Sequence, residues 1–171
     1  NCPRAWPKQA NRWPGDCDVN TKRLILTVGL PYSGKSTYAI KTGMPIVSPD
    51  AIRLALHGRR FEPLAEPFVW ASAKLMVRSL FLAGHDFVVV DACNNTPKRR
   101  NQWVSSKEWD TVAEVFYTDY EVCKDRALKN ADEEIIDVIE RMFDEWDLEG
   151  IGPDGEPPVV HHVDLAVARS L

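Results

Sequence analysis

Residues 29–37 read Gly29-Leu30-Pro31-Tyr32-Ser33-Gly34-Lys35-Ser36-Thr37, a complete G-x-x-x-x-G-K-S signature. The chemistry it suits is the capture of a polyphosphate. Successive backbone N–H groups can curl around phosphate oxygens where glycine removes a clashing Cβ. A helix that starts at the end of such a loop turns its positive end on the same anion. Lys35 supplies a point charge for the β- and γ-phosphates, and the Ser36 hydroxyl suits a Mg²⁺ ion. The flanks agree, with a buried-strand pattern entering and a helical pattern leaving.

Two carboxylates are spaced to face that loop. Ser48-Pro49-Asp50-Ala51-Ile52-Arg53 follows a short apolar run, and Phe87-Val88-Val89-Val90-Asp91 is an apolar strand ending in an acid. In an open parallel sheet the carboxyl ends of neighbouring strands border one crevice, which places Asp50 and Asp91 beside the phosphate loop. A carboxylate there can take the proton of an attacking hydroxyl, and another can hold Mg²⁺ through water. Asp50 and Arg53 lie one helical turn apart, so the arginine could hold a substrate phosphate beside the base. The spacing fits equally a helix-capping aspartate with a solvated arginine. Basic residues cluster at Arg59-Arg60 and Lys98-Arg99-Arg100. A triple basic run can clamp phosphates, although most such runs are solvated faces. Arg126, Lys129 and Arg141 fall on two helical segments after the fourth strand, where a lid over the phosphates would sit.

The elements that must position these groups alternate. Strand patterns at Arg23–Gly29, Pro45–Ser48, Phe87–Asp91, Val112–Tyr117 and Val159–Val163 are separated by helical ones. These helices are expected at Lys35–Thr42, from Pro49 to Gly58, Pro63–Ala83, Pro97–Trp109, Tyr120–Lys129 and Glu133–Trp146. In the long third stretch, Phe68, Ala71, Leu75, Leu80 and Leu82 read as the apolar face. Alternation of this kind predicts an α/β domain with about five parallel strands sandwiched by helices. Domain organisation follows: an irregular, Trp- and Pro-bearing arm over residues 1–22, then one phosphate-loop domain over 23–171, with Gly150–Pro158 as loop.

Composition narrows the function classes. A chain of 171 residues, 44% hydrophobic, suits one full core, and its longest apolar runs are strand-sized, so no membrane span is expected. The first residues carry no apolar h-region of a secretory signal. Cys2, Cys17, Cys93 and Cys123 form no CxxC pair, and His57, His85, His161 and His162 show no ligand spacing, so zinc is not expected. The thiols are read as reduced and the location as cytoplasmic, the host's cytoplasm if the chain is phage-encoded. A net charge of −4 gives no global attraction to phosphate backbones, so nucleic-acid binding would need a local basic patch.

Together GLPYSGKST, SPDAIR, FVVVDACNNTPKRR and VCKDRALKN, running from about Arg23 to Arg141, resemble the polynucleotide kinase branch of P-loop kinases. The chain is similar at this level to phage kinases that phosphorylate 5-hydroxymethyluracil in DNA, to zeta-toxin-like kinases and to small-metabolite kinases. The resemblance implies a P-loop fold with a helical lid, ATP and Mg²⁺ as cofactors, and transfer of the γ-phosphate to a hydroxyl. It implies that Lys35 and Ser36 bind ATP·Mg²⁺, that Asp50 is the general base and that Arg53 holds an acceptor phosphate. Asp91 would organise the acceptor site and the metal, and Arg126 would grip the ATP phosphates. Tyr32 stands where relatives often carry glycine. Asn130 falls at the family's second lid arginine, leaving Lys129 as the nearest cation, and Ala92 replaces a hydroxyl residue.

The expected function is therefore an ATP-dependent kinase acting on a nucleic acid, DNA foremost, at a polynucleotide 5′-OH or a hydroxymethylated base. A small-metabolite or nucleotide-sugar kinase is the alternative, and a non-catalytic nucleotide-binding module the third reading. The expected catalytic set is Lys35, Asp50, Arg53, Asp91 and Arg126. ATP would be bound by Gly29, Pro31, Tyr32, Ser33, Gly34, Lys35, Ser36, Thr37, Arg126 and Lys129, and the metal by Ser36 and Asp91.

Overall fold

Five runs rich in β-branched residues form the sheet of the computed structural model, which describes residues 22–104, 108–147 and 159–162. They are β1 (Arg23–Val28), β2 (Ile46–Val47), β3 (Phe87–Val90), β4 (Asp110–Phe116) and β5 (Val159–His162). The order across the sheet is β2-β3-β1-β4-β5, and every neighbouring pair is parallel. β1 is therefore central, and the phosphate loop leaves its carboxyl end. The first 21 residues, the 150–158 loop, Cys2 and Cys17 lie outside the described residues. So do the side chains of His161 and His162.

The helices are α1 (Lys35–Thr42), α2 (Pro49–His57), α3 (Glu66–Leu82), α4 (Pro97–Asn101), α5 (Tyr120–Lys129) and α6 (Ile136–Asp144), the last preceded by a 3-10 turn over Glu133–Ile135. Local chemistry fixes several ends. Gly58 closes α2 at φ 63°, with its N–H on the Leu54 carbonyl, and Asp119 caps α5 by accepting from Glu121 N–H. Side chains alternate through the sheet. Leu24 and Leu26 of β1 pack with Val88 and Val90 under Ala73, Val77 and Phe81 of α3, whereas Ile25 and Val89 face Ala39 of α1.

Two expectations are corrected here. The buried stripe of α3 is Val69, Ala73, Val77 and Phe81, while Phe68, Ala71, Leu75 and Leu82 are exposed. The helix is apolar around most of its circumference, so periodicity could not select the face, and contact with β3 selected it. α4 is also a single short helix rather than one reaching Trp109. The chain turns after Asn101 so that Trp103, fully buried, can fill the α3 core, and its carbonyl accepts from Trp109 Nε1–H at 2.9 Å.

Candidate active site

The phosphate loop is built by close approach. A Cβ on Gly29 would stand 2.7 Å from Ser33 Oγ and 3.1 Å from Phe116 Cβ, so glycine is required where β1 passes into the loop. Gly34 has φ 101°, a left-handed conformation that glycine adopts without strain. Tyr32 shares the left-handed region at φ 63°, which is uncommon for a bulky residue. Lys35, nearly buried, donates to the Leu30 carbonyl and to Ser33 Oγ at 3.3 Å. Gly29 N–H donates to the Cys93 carbonyl at 2.9 Å and ties the loop to the end of β3.

Asp91 lies at that end. The hydroxyls of Ser36 of α1 and Thr27 of β1 lie close to its side chain. Burial pushes the Asp91 carboxyl above its usual range, while those hydroxyls and the Lys35 charge pull it back. Asn94, buried beside it at φ 45°, donates from Nδ2 to the Thr27 carbonyl at 2.9 Å. Ser36 and Asp91 thus bring a hydroxyl and a carboxylate oxygen together next to Lys35. That donor set fits a hard divalent cation shared with substrate phosphates.

The α2–α3 hairpin forms the opposite wall. Ser48 is the cap of α2, accepting from Ala51 N–H at 3.3 Å, so Asp50 is free of capping duty. Its side chain is 77% exposed and accepts from Arg53 Nη1. Arg53, by contrast, is buried and gripped by Glu66 of α3, with Nε to Oε1 at 2.6 Å and Nη2 to Oε2 at 2.7 Å. Trp70 Nε1 donates to the same carboxylate at 3.1 Å, and the guanidinium sits 5.7 Å from the Trp70 ring. The hydrogen bonds from Arg53 hold the Glu66 carboxyl below its ordinary value of 4.5. Glu66 and Trp70 escaped sequence reasoning; the available signal was an acid in the first turn of a helix that must fold back on Arg53.

The basic residues separate. Arg100 is fully buried and donates from Nη1 to the carbonyls of Asn94 at 3.1 Å and Asp147 at 3.0 Å, so it anchors the loop after β3. Lys98 and Arg99 line the cleft, with Arg99 donating to Asn95 Oδ1 at 3.2 Å. The triple basic run is therefore a pair of cleft residues and one core residue. In the lid, Arg126 Nη1 reaches the Tyr32 carbonyl at 3.1 Å. Lys129 is exposed and is not among the cleft-lining residues, which instead include Arg141 and Asn130. The lid cations that line the cleft are thus Arg126 of α5 and Arg141 of α6, rather than Arg126 with Lys129.

One cleft of about 1560 Å³ collects residues 31–38 with Asp50, Arg53, Asp91 and Arg126. Phosphate loop, facing carboxylates and lid define a P-loop nucleotide-binding α/β domain with a kinase-like fold. The chain belongs to the AAA_33 family: the family model, described as an AAA domain, matches residues 24–147. A search of curated proteins returns no significant match. Among solved structures, a chain of the Pnkp1/Rnl/Hen1 complex is 24% identical with a TM-score of 0.59; the match covers 65% of this chain and 40% of that one. A gluconokinase from Sinorhizobium meliloti 1021 is 18% identical, with a TM-score of 0.54 and 86% and 87% of the two chains covered. The Mycobacterium tuberculosis APS kinase CysC, in complex with AMPPNP and APS, is 17% identical, with a TM-score of 0.52 and coverage of 84% and 88%. The chain thus spans well under half of the Pnkp1-complex chain that it matches.

Proposed function

We propose that the protein is an ATP-dependent phosphotransferase that moves the γ-phosphoryl group to a hydroxyl of a nucleic acid. The observation that carries this reading is Asp50. Capping is done by Ser48, so the Asp50 carboxylate is exposed on the cleft wall facing Lys35, Ser36 and Asp91. In that place it accepts the proton of the attacking hydroxyl as the oxygen moves on the γ-phosphorus. Lys35 and the loop N–H groups neutralise the β- and γ-phosphates, and Arg126 supports the charge of the transferred group. Mg²⁺ would be held by Ser36 and Asp91 and would supply charge neutralisation between the phosphates.

Arg53 retains two N–H groups beyond the three used on Glu66 and Asp50, enough for one acceptor oxygen. Lys98 and Arg99 extend that surface, and Phe61, 63% exposed on the same cleft, offers a ring to an unstacked base. The likeness to a Pnkp1-complex chain supports a polynucleotide 5′-OH, and the motif resemblance adds 5-hydroxymethyl pyrimidine in DNA. The burial of Arg100 and the net charge of −4 favour the second reading, a small-metabolite kinase such as the gluconokinase it is similar to.

The deciding experiment is transfer from γ-labelled ATP to a panel of 5′-OH DNA and RNA, hydroxymethyluracil DNA, nucleosides, gluconate and related small hydroxy compounds. Label on a polynucleotide supports the proposal. Label confined to small compounds replaces it with the second reading, and ATP binding without transfer to any acceptor leaves a nucleotide-binding module.

A further inference from the structure

Asp132, just beyond α5, joins three parts of the cleft through one carboxylate. Its Oδ2 accepts from the Tyr32 hydroxyl at 2.8 Å, and its Oδ1 accepts from Arg60 Nη1 at 2.6 Å. These partners are 100 and 72 residues away, on the phosphate loop and on the 58–65 connection between α2 and α3. Only 11% of the Asp132 side chain is exposed, and the lid grips Tyr32 twice, through Asp132 at the hydroxyl and Arg126 at the carbonyl.

We propose that Asp132 is a positioning residue that couples the acceptor side of the cleft to the nucleotide side, and this rests on the reading of the protein as a kinase. The physical reason is the backbone of Tyr32. A non-glycine residue at φ 63° persists where its surroundings hold it, and here the lid does so. The connection that carries Arg60 joins the helix bearing Asp50 and Arg53 to the helix bearing Glu66. An acceptor that settles this hairpin fixes Arg60, hence Asp132, hence Tyr32, and the phosphate loop is ordered before ATP arrives. The ordering entropy that ATP would otherwise meet is then smaller, and linkage makes the effect reciprocal.

The network also explains a tyrosine where a more permissive residue would fold the loop at lower strain. Arg60 raises no demand on the core, being 59% exposed at its side chain, so its ion pair with a largely covered partner serves position more than stability. Burial of the pair is unequal, and the hydrogen bond from Arg60 holds the Asp132 carboxyl below its usual range.

The test is a double-mutant cycle read by calorimetric binding of AMPPNP to the full chain, with Tyr32→Phe, Arg60→Gln and the pair combined. Each single variant is expected to weaken binding roughly 5- to 30-fold, and the double variant no more than the weaker single. Arg60→Lys, which keeps the charge opposite Asp132, is expected to recover most of the affinity. Losses that multiply in the double variant would mean that Arg60 touches the nucleotide directly, and would overturn the coupling. Wild-type affinity in Arg60→Gln, or a loss in Arg60→Lys equal to that in Arg60→Gln, overturns it as well. A wild-type chain that binds no AMPPNP overturns the kinase reading itself, a result distinct from either.

Discussion

Glu66 holds Arg53 with both carboxylate oxygens, at 2.6 and 2.7 Å, across the turn between α2 and α3. The fork-to-fork geometry fixes the guanidinium plane, and Trp70 closes the remaining side. Arg53 is thereby aimed rather than merely present. Glu66→Gln keeps the shape and removes the charge, so the acceptor KM should rise about tenfold with the ATP KM little changed. An unchanged acceptor KM would show that the pair is a hinge of the hairpin alone.

The same pair sets a pH signature. The Glu66 pKa is lowered in the fold, so its contribution is complete above its ordinary value of 4.5 and is lost as pH falls through the depressed folded value. Wild type should exceed Glu66→Gln by about 1–3 kcal/mol near neutrality. Melting curves between pH 7 and 3 should show that gap closing only on the acid side of 4.5. A gap that widens on acidification would contradict the sign.

Lys35→Ala should lower kcat/KM by at least about 100-fold, because the lysine is a buried cation within the phosphate cradle. The fold should survive, as judged by an unchanged far-ultraviolet spectrum. Retention of full transfer activity would remove ATP from the account.

For Asp50→Asn, kcat should drop by roughly 10²–10⁴ while AMPPNP affinity holds. Asp50 is exposed and Ser48 caps the helix, so only the Asp50 side of the pair with Arg53 is weakened and stability should change little. If instead nucleotide affinity collapses and kcat persists, the residue serves the metal or the phosphates.

Lys98 and Arg99 are the pair to neutralise for substrate class. With a polynucleotide acceptor, Lys98→Gln with Arg99→Gln should raise its KM and reduce the log–log salt slope by about 0.7–0.9 per lost contact. Arg100 belongs outside this set, because its replacement would unseat Asn94 and Asp147. A slope near zero in wild type and variant alike would favour a small acceptor.

Legibility from sequence followed the range of the interaction. The 29–37 loop, the bounds of α1 and α5 and the closure of α2 at Gly58 were readable, since glycine conformations and caps act within a few residues. The facing of α3 was not, because Phe68, Leu75 and Leu82 are as apolar as the buried stripe and contact with β3 alone distinguishes them. Arg100 looked like its neighbours until packing drew it inward. Glu66 with Arg53, and Asp132 with Tyr32 and Arg60, are pairings over 13, 100 and 72 residues, set by the hairpin and the lid rather than by any local pattern.

Phe116 sits beneath Gly29, close enough that a single methyl group there would have to displace it. Phe116 is the last residue of β4, one position past the Val28–Val115 pairing, so its height under the loop is a matter of strand alignment. The curvature of the cradle is consequently inherited from a strand 87 positions downstream of Gly29 (116 − 29), like a casting taken from a mould. Drift in that alignment would reshape the anion's seat without touching any residue of the signature. Tolerance to change at β4 should therefore track nucleotide affinity more closely than it tracks melting temperature.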